Sequence, residues 1–455
     1  MSKLMRVKTG IEGLDEIAPG FPSGGMVIVS GSPGTGKTSL AASFIYNGAV
    51  KYGEPGVYAS LIEDEDRFHE YMHGFGYNFR ELEEKGLFRY IALPTLLQEG
   101  VSASINMVLE IVESIKARRL VIDSYTALSQ MFRSQAEART FLHTLISRIV
   151  KQLECTTILI KEEQAAEKKE YGFEDFIADA VIHLKTSRLE DKLIRELTIV
   201  KLRGSEVRLP DACFTLHGGF RVLTTLGKLK TSRGSCSFPE DPPDAYSTGI
   251  PSLDKEIGGY PRGAAILFEL DPKLQVWESM MVLAPFGGSF IEKGRHHLAI
   301  TSGGVLEEDV RSFFHEAYGF PESVLKERLH VFAGSTRNDD PFGKFLERVR
   351  NIKSPTAILI GVDRLARIYG EDEAVRMLEI GIDHIRRCGS TMIWLFKPTR
   401  PTLRKRLPAL AHLHFKLRRK HGCVLLYGVK PRTPLYAVQP DPTGETLTPE
   451  IIPIT

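Results

Sequence analysis

Cysteine is scarce in this chain of 455 residues: Cys155, Cys213, Cys236, Cys388 and Cys423 lie far apart, and no Cys-x-x-Cys pair occurs. That argues against a disulfide framework and a cysteine-built zinc site, and a reducing, cytoplasmic setting is the expectation. Long apolar runs are missing too. None approaches the roughly 18 residues of a membrane span, so no membrane contact is expected. The opening Met1-Ser2-Lys3-Leu4-Met5-Arg6-Val7-Lys8 has no apolar leader segment. Acid is absent from one stretch: His384 to Pro440 holds 13 Lys and Arg and no Asp or Glu. The net charge of +2 therefore conceals a remainder of −11. Such asymmetry can mark contact with an anion.

What is present is ordinary for a globular chain: 42% hydrophobic and 25% charged residues. At ~150 residues per domain the length suggests two or three domains. An internal repeat decides between them. Thr9-Gly10-Ile11-Glu12-Gly13-Leu14-Asp15 recurs as Thr248-Gly249-Ile250-Pro251-Ser252-Leu253-Asp254, an offset of 239. The offset holds without gaps through Gly20/Gly259, Pro22/Pro261 and Gly24/Gly263. Two copies of one fold are expected, over residues 1–228 and 245–440. The Ser-, Gly- and Pro-containing segment 229–244 reads as a linker and 441–455 as a tail.

In the first copy strands and helices alternate. Met26–Val29, Val57–Ile62, Leu120–Ile122 and Thr157–Ile160 read as buried strands. Apolar stripes at helical spacing run over 105–115 and 141–153. The fold class is therefore α/β, a mostly parallel sheet covered by helices in each copy.

Gly31-Ser32-Pro33-Gly34-Thr35-Gly36-Lys37-Thr38 matches G-x-x-x-x-G-K-[ST] in full, after a strand and before a helix. Glycines let backbone N–H groups approach phosphates, and the helix N-terminus adds its dipole. Ser32, Gly34, Thr35, Gly36, Lys37, Thr38 and Ser39 are the candidate ATP-binding residues. Lys37 would reach the β- and γ-phosphates, and the Thr38 hydroxyl would bind Mg²⁺. Asp123, at the tip of Leu120-Val121-Ile122-Asp123, is the second candidate for Mg²⁺. The bland alternatives are a Gly-rich turn and a loop-capping Asp; the agreement of both motifs outweighs them.

With Val121-Ile122-Asp123-Ser124-Tyr125-Thr126-Ala127-Leu128, Gly172-Phe173-Glu174-Asp175-Phe176-Ile177-Ala178-Asp179 and Lys201-Leu202-Arg203-Gly204, the chain resembles the KaiC family of RecA-like P-loop ATPases. The resemblance implies two tandem RecA-like P-loop domains. It implies a carboxylate after the second strand that polarises the attacking water, where such sequences carry two consecutive glutamates. Here Leu61-Ile62-Glu63-Asp64 places Ile62 at the first and Glu63 at the second; a slip of one residue makes Glu63-Asp64 the pair. The alternative is that Glu63 is a surface acid in the run Glu63–Asp66. Lys201 and Arg203, at i and i+2 on a strand, point the same way. The resemblance gives them the γ-phosphate of a neighbouring subunit, hence a ring, usually a hexamer. The alternative is a solvated basic strand end.

The second copy lacks these parts. At the loop position stands Leu270-Asp271-Pro272-Lys273-Leu274-Gln275-Val276-Trp277, without glycine or the loop lysine. Gly361 aligns with Asp123, and Ser302-Gly303-Gly304 with the Glu63 region. A domain that does not hold ATP in the usual way argues against autokinase activity. The basic stretch 384–440 either contacts nucleic acid or pairs with acids of this chain or a neighbouring subunit; its sparse aromatics favour the second. Three functions follow: a ring-forming Mg-dependent ATPase switch or scaffold that binds a protein partner through its second domain, a recombinase-like DNA-binding accessory ATPase, or an ATP-binding module without hydrolysis.

Overall fold

The computed structural model describes residues 5–93, 101–130, 132, 134–145, 150, 152–163, 172–224, 237–440 and 448–454. These divide into two compact units. One ends at Thr224 and also takes Ile454; the other ends at Pro453.

The first unit opens with a two-stranded ribbon, β1 (Arg6–Val7) and β2 (Phe21–Pro22). Nine strands follow: β3 (Met26–Gly31), β4 (Gly56–Ser60), β5 (Phe88–Ala92), β6 (Arg119–Asp123), β7 (Thr156–Glu162), β8 (Ala180–Leu189), β9 (Lys192–Leu202), β10 (Asp211–Thr215) and β11 (Arg221–Leu223). Their order is β11-β10-β9-β8-β3-β7-β6-β4-β5. The six from β3 to β8 are parallel, and β9, β10 and β11 extend the sheet antiparallel.

The second unit repeats this plan. Its ribbon is β12 (Ala245–Tyr246) with β13 (Tyr260–Pro261). Its sheet contains β14 (Ala265–Leu270), β15 (His296–Ile300), β16 (Leu329–Phe332), β17 (Thr356–Gly361), β18 (Thr391–Phe396), β19 (Leu413–Lys420), β20 (Cys423–Lys430), β21 (Tyr436–Gln439) and β22 (Glu450–Pro453). The order β16-β15-β17-β18-β14-β19-β20-β21-β22 is the first sheet's order, strand for strand. The repeat in the sequence is thus a repeat of topology, two tandem RecA-like sheets.

Both faces of each sheet are covered, so the central strands are continuous apolar runs rather than alternating ones. Val27 and Val29 enter the core on one face of the first sheet, and Met26 and Ile28 the core on the other. Ile266 and Phe268 against Ala265 and Leu267 divide likewise in the second. The repeated Thr-Gly-Ile…Leu-Asp motif has a structural cause. Asp15 accepts hydrogen bonds from the Thr9 N–H and hydroxyl and the Gly10 N–H. Asp254 does the same for the Thr248 N–H and the Ser247 hydroxyl. Each aspartate locks the entry turn of its unit.

Some expectations shift. The helical stripe over 141–153 extends past the helix Gln135–Leu145 into residues that lie partly outside the described ones. The expected linker 229–244 is described only from 237. There Phe238 packs in the second unit's core, and Asp241 pairs with Lys293 and Arg295. The expected tail needs correction. Residues 441–447 lie outside the described ones, but β22 is the edge strand of the second sheet. Ile451 and Ile452 bury there, and the Ile451 N–H is bound by the Ser252 hydroxyl.

Candidate nucleotide site

The phosphate loop leaves the C-terminal end of β3, where ligands of such sheets bind. Gly36 has φ +95° and caps the helix Lys37–Tyr52. Gly34 has φ +75°, and nothing lies within 4 Å of where its Cβ would stand. Both need the left-handed region that glycine enters at little cost, and Gly34 leaves the face of the loop open. The Thr35 hydroxyl and the Lys37 amine donate to the Ser32 carbonyl at 2.8 and 2.9 Å. Burial pushes the Lys37 amine down, while the carboxylates of Glu162, Asp123 and Glu163 push back. Ser39 is buried within the helix.

Asp123, at the tip of β6, is 8% exposed. Its Oδ2 accepts hydrogen bonds from the Thr38 hydroxyl at 2.9 Å and the Tyr58 hydroxyl at 2.6 Å. Burial holds its carboxyl above the usual aspartate range, against the two hydroxyls and Lys37. Among the described residues no basic side chain forms an ion pair with it. A buried carboxylate held by neutral hydroxyls beside an open phosphate loop suits a divalent cation, so these residues fit Mg²⁺ with ATP.

Glu63 follows β4. Its backbone is held on both sides: the N–H by the Ser60 hydroxyl at 3.1 Å, the carbonyl by the Tyr90 hydroxyl at 2.7 Å. The side chain is half-buried. Burial, then Asp123 and Asp64, raise its carboxyl above the ordinary glutamate value. Ile62 is 61% exposed. Asp64 caps the helix Glu65–Gly74 by accepting the Arg67 N–H at 2.9 Å. Of the two alignments, Asp64 is thus engaged as a helix cap, and the Glu63 carboxyl is the one that feels Asp123.

Lys201 and Arg203 are not brought to this loop. β9 runs antiparallel to β8, so Lys201 lies level with Val181, which is level with Ile28. That is on the order of 10 Å back along the sheet from Gly31. The two side chains sit together: the Lys201 amine on the carbonyls of Asp175 and Phe176, Arg203 on the Phe176 carbonyl and the Asp179 carboxylate. The Gly172–Asp179 motif therefore forms the socket for the Lys-x-Arg pair.

Sequence reasoning missed other residues of the loop's surroundings. Tyr58 binds Asp123 from the neighbouring strand, and its signal was only its place next to β6. Arg195, from β9, donates to the Gly34 carbonyl at 3.1 Å. His183, 3.1 Å from the Ser30 hydroxyl, is 3.4 Å from Glu163. The last two come to the loop from more than 150 residues along the chain, beyond any local motif.

At the corresponding place in the second unit stand acids. Asp271 accepts the Lys273 and Arg419 N–H groups. Glu278, 1% exposed, accepts the Gln275 N–H and pairs with Arg419 at 2.9 Å. Glu269 is bound by Arg418 and His414. Burial opposes ionisation of Glu269, but His414 and Arg418 beside it overcome that and hold its carboxyl at about 2. Carboxylates repel a phosphate, so the loop's own chemistry agrees with its loss of glycine and lysine. The same contacts bear on the basic stretch. Arg400 pairs with Glu371, Arg406 with Asp372, Arg418 with Glu269 and Arg419 with Glu278. Four of its cations serve the unit's own acids. Trp394 is fully buried in β18.

Comparison with known proteins agrees with this geometry. Residues 7–222 match the family model described as the KaiC ATPase. The chain is 30% identical over 268 residues to a circadian clock oscillator protein KaiC of Prochlorococcus marinus (strain MIT 9313), covering 56% of this chain and 52% of that protein. It is 33% identical over 264 residues to the KaiC of Parathermosynechococcus lividus, covering 55% and 47%. The chain thus spans about half the length of the curated relatives it matches. Among solved structures, a KaiC-like protein of Pyrococcus horikoshii OT3 is 34% identical, with a TM-score of 0.44, covering 48% of this chain and 99% of that one. The first unit, over residues 7–222, is thus a KaiC-like ATPase domain of the RecA-superfamily P-loop type.

Proposed function

We propose that the chain is a Mg²⁺-dependent ATPase with one working nucleotide site, in residues 1–228, and a degenerate second domain over 245–440. In this reading it is a cytoplasmic, ring-forming nucleotide switch or scaffold, with a hexamer as the expected ring and the second domain as the surface for a protein partner. The observation that carries the reading is the convergence of Lys37, Thr38 and Asp123 around an open phosphate loop. Lys37 would bind the β- and γ-phosphates, with Ser32, Gly34, Thr35, Gly36 and Ser39 framing them. Thr38 and Asp123 would hold Mg²⁺, which supplies charge neutralisation on the phosphate oxygens. Glu63 would orient the attacking water and draw its proton. Lys201 and Arg203 would stabilise the γ-phosphate charge of the neighbouring subunit's ATP. Their distance from their own loop supports a role in trans. The thiols of Cys155 and Cys388, which form no disulfide, suit a reducing compartment, and no helix among the described residues is long and apolar enough to cross a membrane.

The test is incubation with γ-labelled ATP and Mg²⁺, following free phosphate and protein-bound label, with Lys37→Ala as control. Free phosphate that disappears in the variant supports the reading. Label on the protein overturns the argument against a kinase. The exposed Ile62, in place of a second glutamate, favours one alternative, a module that binds ATP without hydrolysis. That reading requires bound ATP to stay intact. The DNA-binding alternative requires DNA to stimulate turnover, and the ion pairs of the basic stretch speak against it.

A further inference from the structure

The second unit has lost the phosphate loop but keeps a cavity at the same place in the fold. A cavity of about 100 Å³ opens at the C-terminal ends of β14, β15, β17 and β18. These are the counterparts of the strands that frame the nucleotide loop in the first unit. Its wall is apolar, formed by Leu270, Leu274, Met280, Leu283, Phe314 and Leu395. His297 also lines it, 3% exposed, with Nδ1 3.1 Å from the Ala357 carbonyl. Burial drives its pKa down to about 4, so the ring is a neutral part of the wall at pH 7.

The Ser279 and Thr301 hydroxyls of this lining are spent on backbone carbonyls, which leaves two polar groups. The Ser302 hydroxyl is buried, 7% exposed as a residue, and has no hydrogen-bond partner. An unsatisfied buried hydroxyl is costly and needs an explanation. Lys397, directly after β18, lines the cavity and forms no ion pair among the described residues. Its neighbour Asp363 accepts the Lys397 backbone N–H, not its amine. An apolar wall with one orphan donor and one ammonium is the signature of a pocket for an amphiphile.

We propose that this cavity is a binding site for a short-chain aliphatic monocarboxylate, its chain in the apolar part and its carboxylate on Ser302 and Lys397. The volume, about two thirds of the ~150 Å³ that holds benzene, limits the buried part of the chain to roughly four carbons, the terminal four of a hexanoate. The proposal does not depend on the nucleotide reading of the first unit. It makes the degenerate domain a small-molecule site at the position its catalytic ancestry left open.

The two tryptophans of the chain report on it. Trp277 and Trp394 both lie in the second unit, each next in sequence to a lining residue, Val276 and Leu395. The experiment titrates the full chain with hexanoate, hexan-1-ol and hexylamine, following tryptophan fluorescence and melting temperature. Hexanoate is expected to give a saturable change and a raised Tm. Lys397→Gln and Ser302→Ala are expected to weaken it at least tenfold, and Ala299→Leu, which fills the cavity, to abolish it. Lys397→Gln changes a half-buried side chain at the mouth, so it keeps the test decisive if Ala299→Leu does not fold. No saturable change with hexanoate overturns the proposal. So does hexan-1-ol or hexylamine binding as tightly as hexanoate, or unchanged affinity in Lys397→Gln.

Discussion

Glu63→Gln separates chemistry from binding at the nucleotide site. The loop around residue 63 is held by backbone contacts, the Ser60 hydroxyl on its N–H and the Tyr90 hydroxyl on its carbonyl. An amide of the same shape leaves both intact, and it touches neither Lys37 nor Thr38. ATP affinity should therefore stay within about twofold, while the loss of a general base costs ~10²–10⁴ in kcat. That is roughly 3–5 kcal/mol of barrier. The pH dependence follows from the same carboxyl. Burial and the nearby Asp123 and Asp64 raise its pKa in the folded state, so the acid limb of kcat should lie above the ordinary glutamate value. The sign for stability is opposite. A carboxyl with a raised folded pKa holds its proton more tightly when folded, so its contribution is greatest below its unfolded pKa and falls as pH rises through the folded value. Glu63→Gln should melt slightly higher than wild type at pH 7, with the gap closing in acid. The companion is Asp64→Ala, which removes a helix cap: about 1 kcal/mol of stability, with kcat changed less than threefold. Phosphate release from ATP at saturating and limiting substrate reads both variants. A loss below threefold in Glu63→Gln, or an equal loss in Asp64→Ala, would refute the assignment of Glu63 as the base.

Lys37→Ala should abolish Mg-dependent ATP binding, read by equilibrium dialysis. Lys201→Ala with Arg203→Ala should be inactive alone, as should Lys37→Ala; mixed in equal amounts before assembly, they should regain activity at about one quarter of ring interfaces, each combining an intact loop with an intact neighbour. No recovery on mixing would argue against a site completed in trans. Arg419→Met should cost the second unit about 3–5 kcal/mol, because Glu278 is left charged and buried; urea unfolding followed by tryptophan fluorescence measures it. Double-stranded DNA should leave turnover unchanged at low salt, since Arg400, Arg406, Arg418 and Arg419 already face acids of their own unit.

What could be read from the sequence was whatever is local. The phosphate loop, its strand and its helix are contiguous, so Gly34, Gly36 and Lys37 announce themselves. Asp123 was legible because an apolar strand ending in a carboxylate is a local pattern too. The repeat revealed two units because its cause, an aspartate closing the entry turn, is a short-range hydrogen-bonding need met twice. Arg195 and Tyr58 were not legible: sheet order alone brings β9 and β4 to the loop and to Asp123. Ile62, Glu63 and Asp64 stood ambiguous as letters. Only the backbone, which turns Ile62 outward and uses Asp64 as a cap, separates their roles. β22 escaped notice because an edge strand of four residues after a Pro- and Gly-containing segment has too short an alternation to detect.

The second unit shows one sheet topology kept while the chemistry at its strand ends differs. Its strand order is that of the first unit, so the two units share the sheet and differ in what stands at the strand ends. The largest difference in charge is at one loop. In the first unit a lysine, a helix N-terminus and an open glycine face stand beside the buried Asp123. In the second, Asp271 and Glu278 occupy that place: Asp271 accepts the Arg419 backbone N–H and Glu278 pairs with the Arg419 guanidinium, an internal ion pair. Glu278 is almost fully buried, and removing its partner is costly, so the arrangement now serves the stability of the unit itself. The neighbouring space at the strand ends is not filled by this change. It is lined by apolar side chains with one orphan hydroxyl, which is why the strand ends of this domain, and not its former phosphate loop, are where a ligand should be sought.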